Sequence, residues 1–361
     1  MTTPDVLLEI QGLKTHFPLD EGLVKAVDGA DLTVRAGKTL CVVGESGCGK
    51  SMTARSILQI VQPPGRIVEG KILYHRPGND GRPANGPIDL AALNPKGREI
   101  RAIRGKEIAM IFQEPMTSLS PVHTIGNQIS ENVLLHQPVS KDGAKQRTIE
   151  VLGQVGIPRP DTRFDAYPFQ LSGGMRQRAM VAMALSCDPN LLIADEPTTA
   201  LDVTTQAQII DLMRELQAGY GMAILFITHD LGVVAEVADD VAVMYLGIVA
   251  ERGNVDDIFH DPKHPYTQAL LRSIPRLGRT RKQRLDSIEG MVPDPYNRPV
   301  GCPFHPRCEH AMPGLCDRIV PPITALGPDR EVRCHLYPPG GGPPPTVLTA
   351  TSEGRAHVDA G

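Results

Sequence analysis

The chain predicts an α/β protein in which a parallel sheet is covered by helices, and three observations carry that reading. Leu191 to Ala194 and Ala223 to Thr228 are short, continuously apolar runs of buried-strand length, with an amphipathic helical pattern at Thr204 to Ala218 between them. Nearer the N-terminus, Thr39 to Val43 is a third such run, followed by a glycine-rich loop and a helical pattern. From about Met116 to Asp188 the pattern is mainly helical, with no strongly apolar strand. Alternation of this kind places strands side by side and helices on their faces.

Taken in order, Leu7 to Ile10 and Thr39 to Val43 read as strands by apolar enrichment, and Ser51 to Val61 as a helix with Ile57, Leu58 and Val61 on one face. Pro77 to Pro95, rich in Gly, Pro and Asn, reads as an irregular surface excursion before a strand at Glu107 to Phe112. After Phe259 a helix around Tyr266 to Ser273 leads into Arg276, Arg279, Arg281, Lys282 and Arg284, a basic run that reads as a solvated linker, with contact to anionic lipid or a partner as the alternative. A Cys- and Pro-rich stretch at 289–338 follows, then a polar tail expected to be disordered. The expected division is 1–260, with a helical part at about 116–188, then 261–340, then the tail 341–361. No internal repeat suggests a solenoid.

Composition narrows the function. The 361 residues carry 37 Lys plus Arg against 41 Asp plus Glu, a formal net charge of −4, which argues against a dedicated nucleic-acid binder. Val241 to Ala250 is the longest strongly apolar stretch and is about half of what a spanning helix needs; the start, MTTPDVLLEI, lacks the basic and apolar regions of a signal peptide. The expectation is a chain that crosses no membrane on its own. Its seven cysteines should then be reduced thiols or metal ligands.

Three motifs carry chemistry. Gly44-Glu45-Ser46-Gly47-Cys48-Gly49-Lys50-Ser51 fits G-x-x-x-x-G-K-S between a strand and a helix, where glycines let backbone N–H groups wrap phosphates. Lys50 would reach the β- and γ-phosphates and the Ser51 hydroxyl would ligate Mg²⁺. Leu191 to Ala194 runs into Asp195 and Glu196 at a strand's carboxyl end, where ligands gather in open α/β sheets. Asp195 suits the Mg²⁺ shell, and Glu196 is placed to orient and deprotonate an attacking water. Leu171-Ser172-Gly173-Gly174-Met175-Arg176-Gln177-Arg178 opens a helix with Ser172 as N-cap. Cys48 occupies a variable loop position; its modification is expected to block nucleotide binding, and bound nucleotide to protect it.

The order of these motifs resembles the ATP-binding-cassette (ABC) ATPase family. The resemblance implies a P-loop NTPase fold, a RecA-like core with antiparallel β and helical subdomains, plus here a small Cys/Pro-rich C-terminal extension. Residue by residue, Gln113 is similar to the glutamine-loop residue that touches Mg²⁺ and water and senses the transporter, and Ala200-Leu201-Asp202 to the loop that crosses a dimer interface. His229 resembles the switch histidine on the γ-phosphate, and Phe17 the aromatic that stacks on adenine. In the resembling proteins Ser172, Gly173, Gly174 and Met175 would act on ATP held by the opposite subunit. One copy of each motif therefore implies a dimer that ATP closes and hydrolysis opens.

The remainder resembles oligopeptide/dipeptide importer ATPases more narrowly, through His264-Pro265-Tyr266-Thr267-Gln268-Ala269-Leu270-Leu271, Ile288-Glu289-Gly290 with Pro293, Gly301 to Cys308, and Ser118 to Val122. That implies an ATPase on the cytoplasmic face of the plasma membrane, with two transmembrane permease subunits, a second ATPase (a paralogue or the chain itself) and an extracytoplasmic solute-binding protein. Nickel, glutathione or another solute stays open, as does a non-transport cassette ATPase, which would more often carry two cassettes or a coiled-coil insertion. Cys302, Cys308, Cys316 and Cys334 could gather four thiolates around one centre. The resemblance implies a [4Fe–4S] cluster, zinc being the runner-up and plain reduced thiols the third reading, with His305, His310 and His335 as alternative ligands.

Overall fold

The computed structural model describes residues 6–78, 86–113, 118–199, 201–274 and 288–342. The basic run from Arg276 to Arg284, Ala200 and nearly all of the tail lie outside the described residues.

The chain opens with the antiparallel hairpin β1 (Val6–Leu19) and β2 (Gly22–Arg35), then β3 (Thr39–Val43), α1 (Lys50–Ile57), β4 (Arg66–Tyr74), β5 (Ile88–Asp89), α2 (Arg98–Ile103) and β6 (Ile108–Ile111). Four helices follow: α3 (Ile125–His136), α4 (Lys141–Gln154), α5 (Pro160–Phe164) and α6 (Gly173–Leu185). Strands return as β7 (Leu191–Asp195) and β8 (Ala223–Ile227) around α7 (Val203–Tyr220), then α8 (Leu231–Val237), β9 (Asp240–Tyr245), β10 (Ile248–Asn254), α9 (Val255–His260) and α10 (Pro265–Arg272). The extension ends in β11 (Thr324–Gly327) and β12 (Arg330–Val332).

Two sheets result. One is antiparallel, in the order β2-β1-β4-β5; the other has eight strands in the order β11-β12-β10-β9-β3-β8-β7-β6. Strands β9, β3, β8, β7 and β6 are mutually parallel, as the apolar runs predicted, while β10, β12 and β11 add on antiparallel. The runs are continuously apolar because both faces are covered. Cys41 and Val43 pack with α3, α6 and α7 in one core, whereas Leu40 and Val42 pack with α1 and the antiparallel sheet in the other.

Two expectations are corrected. Helix α1 stops at Ile57 instead of Val61: Gln59 adopts φ 50°, and Arg104 reaches across to donate to the carbonyls of Leu58 (2.6 Å) and Gln59 (2.9 Å), ending the helix with a cation on its exposed carbonyls. The excursion before β6 is not wholly irregular, because Ile88–Asp89 pairs with β4 and Leu90 is fully buried.

Candidate functional site

The loop from Gly44 to Gly49 joins the end of β3 to the start of α1. A side chain at Gly44 would overlap the Met244 carbonyl, and one at Gly49 the Ala26 carbonyl, while both glycines hold positive φ. The loop is thus pressed between β2 and β9. Among the described residues, the backbone N–H groups of Gly47, Gly49 and Ser51 meet no protein acceptor, while that of Lys50 is directed at the Cys48 sulfur; free N–H groups at a helix start are the arrangement that binds phosphate. Lys50, 5% exposed, folds back so that its ammonium donates to the carbonyls of Gly44 (2.8 Å) and Glu45 (3.1 Å).

Opposite the loop lies the end of β7. The Ser51 hydroxyl donates to Asp195 Oδ1 at 2.8 Å, and burial pushes the Asp195 carboxyl above its ordinary range, with the Ser51 bond pulling the other way. A buried carboxylate of this kind gains from a nearby cation. The next residue, Glu196, adopts φ 47° while its N–H is fixed to the Ile227 carbonyl at 2.9 Å. Its carboxylate accepts from Gln113 Nε2 at 2.9 Å and Thr199 Oγ1 at 3.0 Å and lies 3.4 Å from His229 Nδ1. Gln113, Glu196 and His229 follow β6, β7 and β8, so the carboxyl ends of adjacent parallel strands bring them together beside Asp195 and Ser51.

The other sequence-selected residues lie apart from that cluster. Ser172 caps α6 by accepting from Met175 N at 3.3 Å, and Asp202 caps α7 by accepting from Thr205 N at 2.9 Å. The two helix starts meet where a side chain at Gly174 would press on Thr205, and Gln177 Nε2 ties α6 to the Pro197 carbonyl at 2.5 Å. Gly173 faces open space. Phe17 is half-buried on β1, its ring seated against Gly65. Cys48 is buried, and burial pushes its thiol up.

All seven cysteines are free. Cys302, Cys308, Cys316 and Cys334 line one cavity of about 10 Å³ with His264, Phe304 and Met312. Backbone N–H groups are directed at each sulfur: Phe304 and His305 at Cys302, His310 at Cys308, Met312 at Cys316 and Leu336 at Cys334. Burial nevertheless pushes the Cys302 thiol up to about 11 and Cys334 up to about 12. His305 Nδ1 and His335 Nε2 are each engaged by a backbone carbonyl. Among the described residues, no three or more His, Cys, Asp or Glu side chains stand in the spacing of a bound metal.

Sequence reasoning missed three contacts, two of them on the loop. Arg307 of the extension grips the Glu45 carboxylate, Tyr266 Oη accepts from Glu45 N at 2.9 Å, and Thr199 supports Glu196. The first two join residues more than 200 positions apart, a separation at which local patterns carry no signal.

Fold and site together define a nucleotide-binding ATPase of the ATP-binding-cassette class. Residues 27–199 match the family described as ABC transporter, and residues 250–316 the family described as oligopeptide/dipeptide transporter, C-terminal region. The dipeptide transport ATP-binding protein DppD of Escherichia coli is 48% identical over 332 residues, covering 92% of this chain and 97% of its own; DppD of Bacillus subtilis is 46% identical over 331 residues, covering 91% and 94%. Among solved structures, cbiO1 from Clostridium perfringens is similar at a TM-score of 0.56 and 26% identity, over 71% of this chain and 92% of that one. The fold also matches the dimeric ATP-binding cassette MJ0796 at a TM-score of 0.58 and 23% identity, over 69% of this chain and 99% of that one. The chain belongs to the ATP-binding subunits of the oligopeptide/dipeptide ABC transporter family. Among the described residues no helix is long and apolar enough to cross a membrane.

Proposed function

We propose that this chain powers a peptide importer by closing on ATP as a dimer and reopening on hydrolysis. The observation that carries the chemistry is the convergence of Ser51–Asp195 and Gln113–Glu196–His229 at the carboxyl ends of adjacent strands. The identity to dipeptide transport proteins over nine-tenths of the chain supports peptide as the solute. Nickel or glutathione would use the same machinery.

Mg²⁺, when bound, supplies charge neutralisation to the phosphate oxygens, and Ser51, Asp195 and Gln113 would hold it. Lys50 turns its ammonium from its own loop's carbonyls onto the β- and γ-phosphates, and loop N–H groups from Gly44 through Ser51 line them. Glu196 orients the attacking water and accepts its proton, held in place by Thr199. His229, mostly exposed, swings between Glu196 and the γ-phosphate. Phe17 stacks on adenine. Ser172, Gly173, Gly174 and Met175 of one subunit, with Asp202 at the interface, complete the partner's site, giving two nucleotides per dimer.

An apolar groove of about 270 Å³ between the sheet and α6, lined by Ile111, Phe112, Leu119, Met180 and Met183, supports docking of a permease segment next to Gln113. That contact would hold the chain peripherally at the cytoplasmic face. Cys302, Cys308, Cys316 and Cys334 share one small cavity but do not stand in the spacing of a bound metal, so this geometry supports neither the [4Fe–4S] cluster implied by the family resemblance nor its zinc alternative. Metal analysis after anaerobic purification tests both. Reconstitution with the permease subunits in liposomes tests the whole: ATP-dependent dipeptide uptake is expected, and ATP hydrolysis indifferent to any peptide would sink peptide as the solute.

A further inference from the structure

We propose that Arg307 is a positioning residue for the nucleotide loop, through which the C-terminal extension sets nucleotide affinity. Arg307 lies on the short turn His305–Arg307, between Cys302 and Cys308, yet its side chain is only 4% exposed because it points away from the cysteine-lined cavity into the cassette. Nη1 and Nη2 donate to Glu45 Oε2 and Oε1 at 2.7 and 3.0 Å, a bidentate fork. Nε donates to the Glu289 carbonyl at 3.1 Å, and the guanidinium lies over the Tyr245 ring. Its orientation is thus fixed from three sides.

Glu45 is the first residue of the loop after Gly44, and it is clamped at every polar group. Its carboxylate meets Arg307, its N–H donates to Tyr266 Oη at 2.9 Å, and its carbonyl accepts from Lys50 Nζ at 3.1 Å. The cysteine-bearing turn reaches the same point a second way: Phe304 packs against Tyr245 and Tyr266, with ring centroids 5.3 Å from each. A physical chain therefore runs from the Cys302–Cys308 turn through Arg307 to Glu45 and on to the phosphate-binding lysine. A guanidinium fork tolerates little displacement.

Equilibrium ATP binding by the full chain, made non-hydrolysing by Glu196→Gln, tests the clamp. Arg307→Met and Glu45→Gln should each weaken binding about tenfold, and the double variant should be no weaker than either, because both remove one contact. Arg307→Lys should recover only part. In the hydrolysing background the loss should fall on KM for ATP, with kcat little changed. Affinities within twofold of the parent, additive losses, or a melting-temperature drop without an affinity change would overturn the clamp.

Discussion

Glu196 adopts a left-handed backbone at φ 47°, a conformation costing about 1–3 kcal/mol for a residue with a side chain. The cost is sustained by the bond from its N–H to Ile227 and by the donors Gln113 and Thr199 on its carboxylate. That geometry predicts that Glu196→Gln keeps ATP binding and traps the closed dimer, with turnover down about 10²–10⁴-fold, read by phosphate release and by sizing in ATP. Lys50→Ala should instead lose ATP binding, as measured by calorimetry. At Cys48 the structure sharpens the expectation: 3% exposed, its thiol raised by burial, it should alkylate far more slowly than a free thiol at pH 8, and ATP should slow it further. Mass spectrometry showing Cys48 labelled as fast as a model thiol would contradict this.

Among the elements, strands were legible and their ends were not. Thr39–Val43 and the cores of β7 and β8 follow from apolar runs, since strands covered on both faces have no polar alternation to obscure them. The end of α1 depends on Arg104, 46 positions beyond Leu58, and no local pattern announces it. The start of α6 was legible through its cap Ser172, whereas Asp202, which caps α7, reads in the sequence only as part of an interface loop. The Gln113–Glu196–His229 cluster was readable as motifs, but the clamp on Glu45 depends on tertiary packing. Asp202→Ala removes the bond to Thr205 N that caps α7 and should lower the melting point, read by thermal melts. A second cap gives a pH signature. His264 accepts from Tyr266 N through Nδ1, donates its own N–H to Glu251 and is hydrogen-bonded to the Arg333 backbone; burial pulls its pKa down to about 4. The unfolded chain binds that proton first, so stability should fall as pH drops from about 6.5 towards 4. His264→Asn should flatten that slope in thermal melts.

Across the whole molecule, two apolar cores share one eight-stranded sheet, and the extension belongs to it. Arg298 pairs with Asp28 at 2.6 Å and Arg333 with Asp31 at 3.4 Å, fastening the extension to β2, while Glu251 pairs in register with Val332. A subunit with an apolar groove beside Gln113 should co-purify from membranes with two permease subunits and a second ATPase. Substituting Asp for Phe112, the exposed side chain of that groove, should release it into the soluble fraction with ATP binding intact.

The strand pairing of β12 on β10 also has a consequence for how the protein is made. The edge of β10 acquires its partner only when residues 330–332 leave the ribosome, after nine-tenths of the chain has been synthesised. Until then the nascent cassette carries a bare strand edge, open to pairing with other nascent chains. A premature stop after Asp261 would make that transient hazard permanent, although every nucleotide-binding motif would be intact.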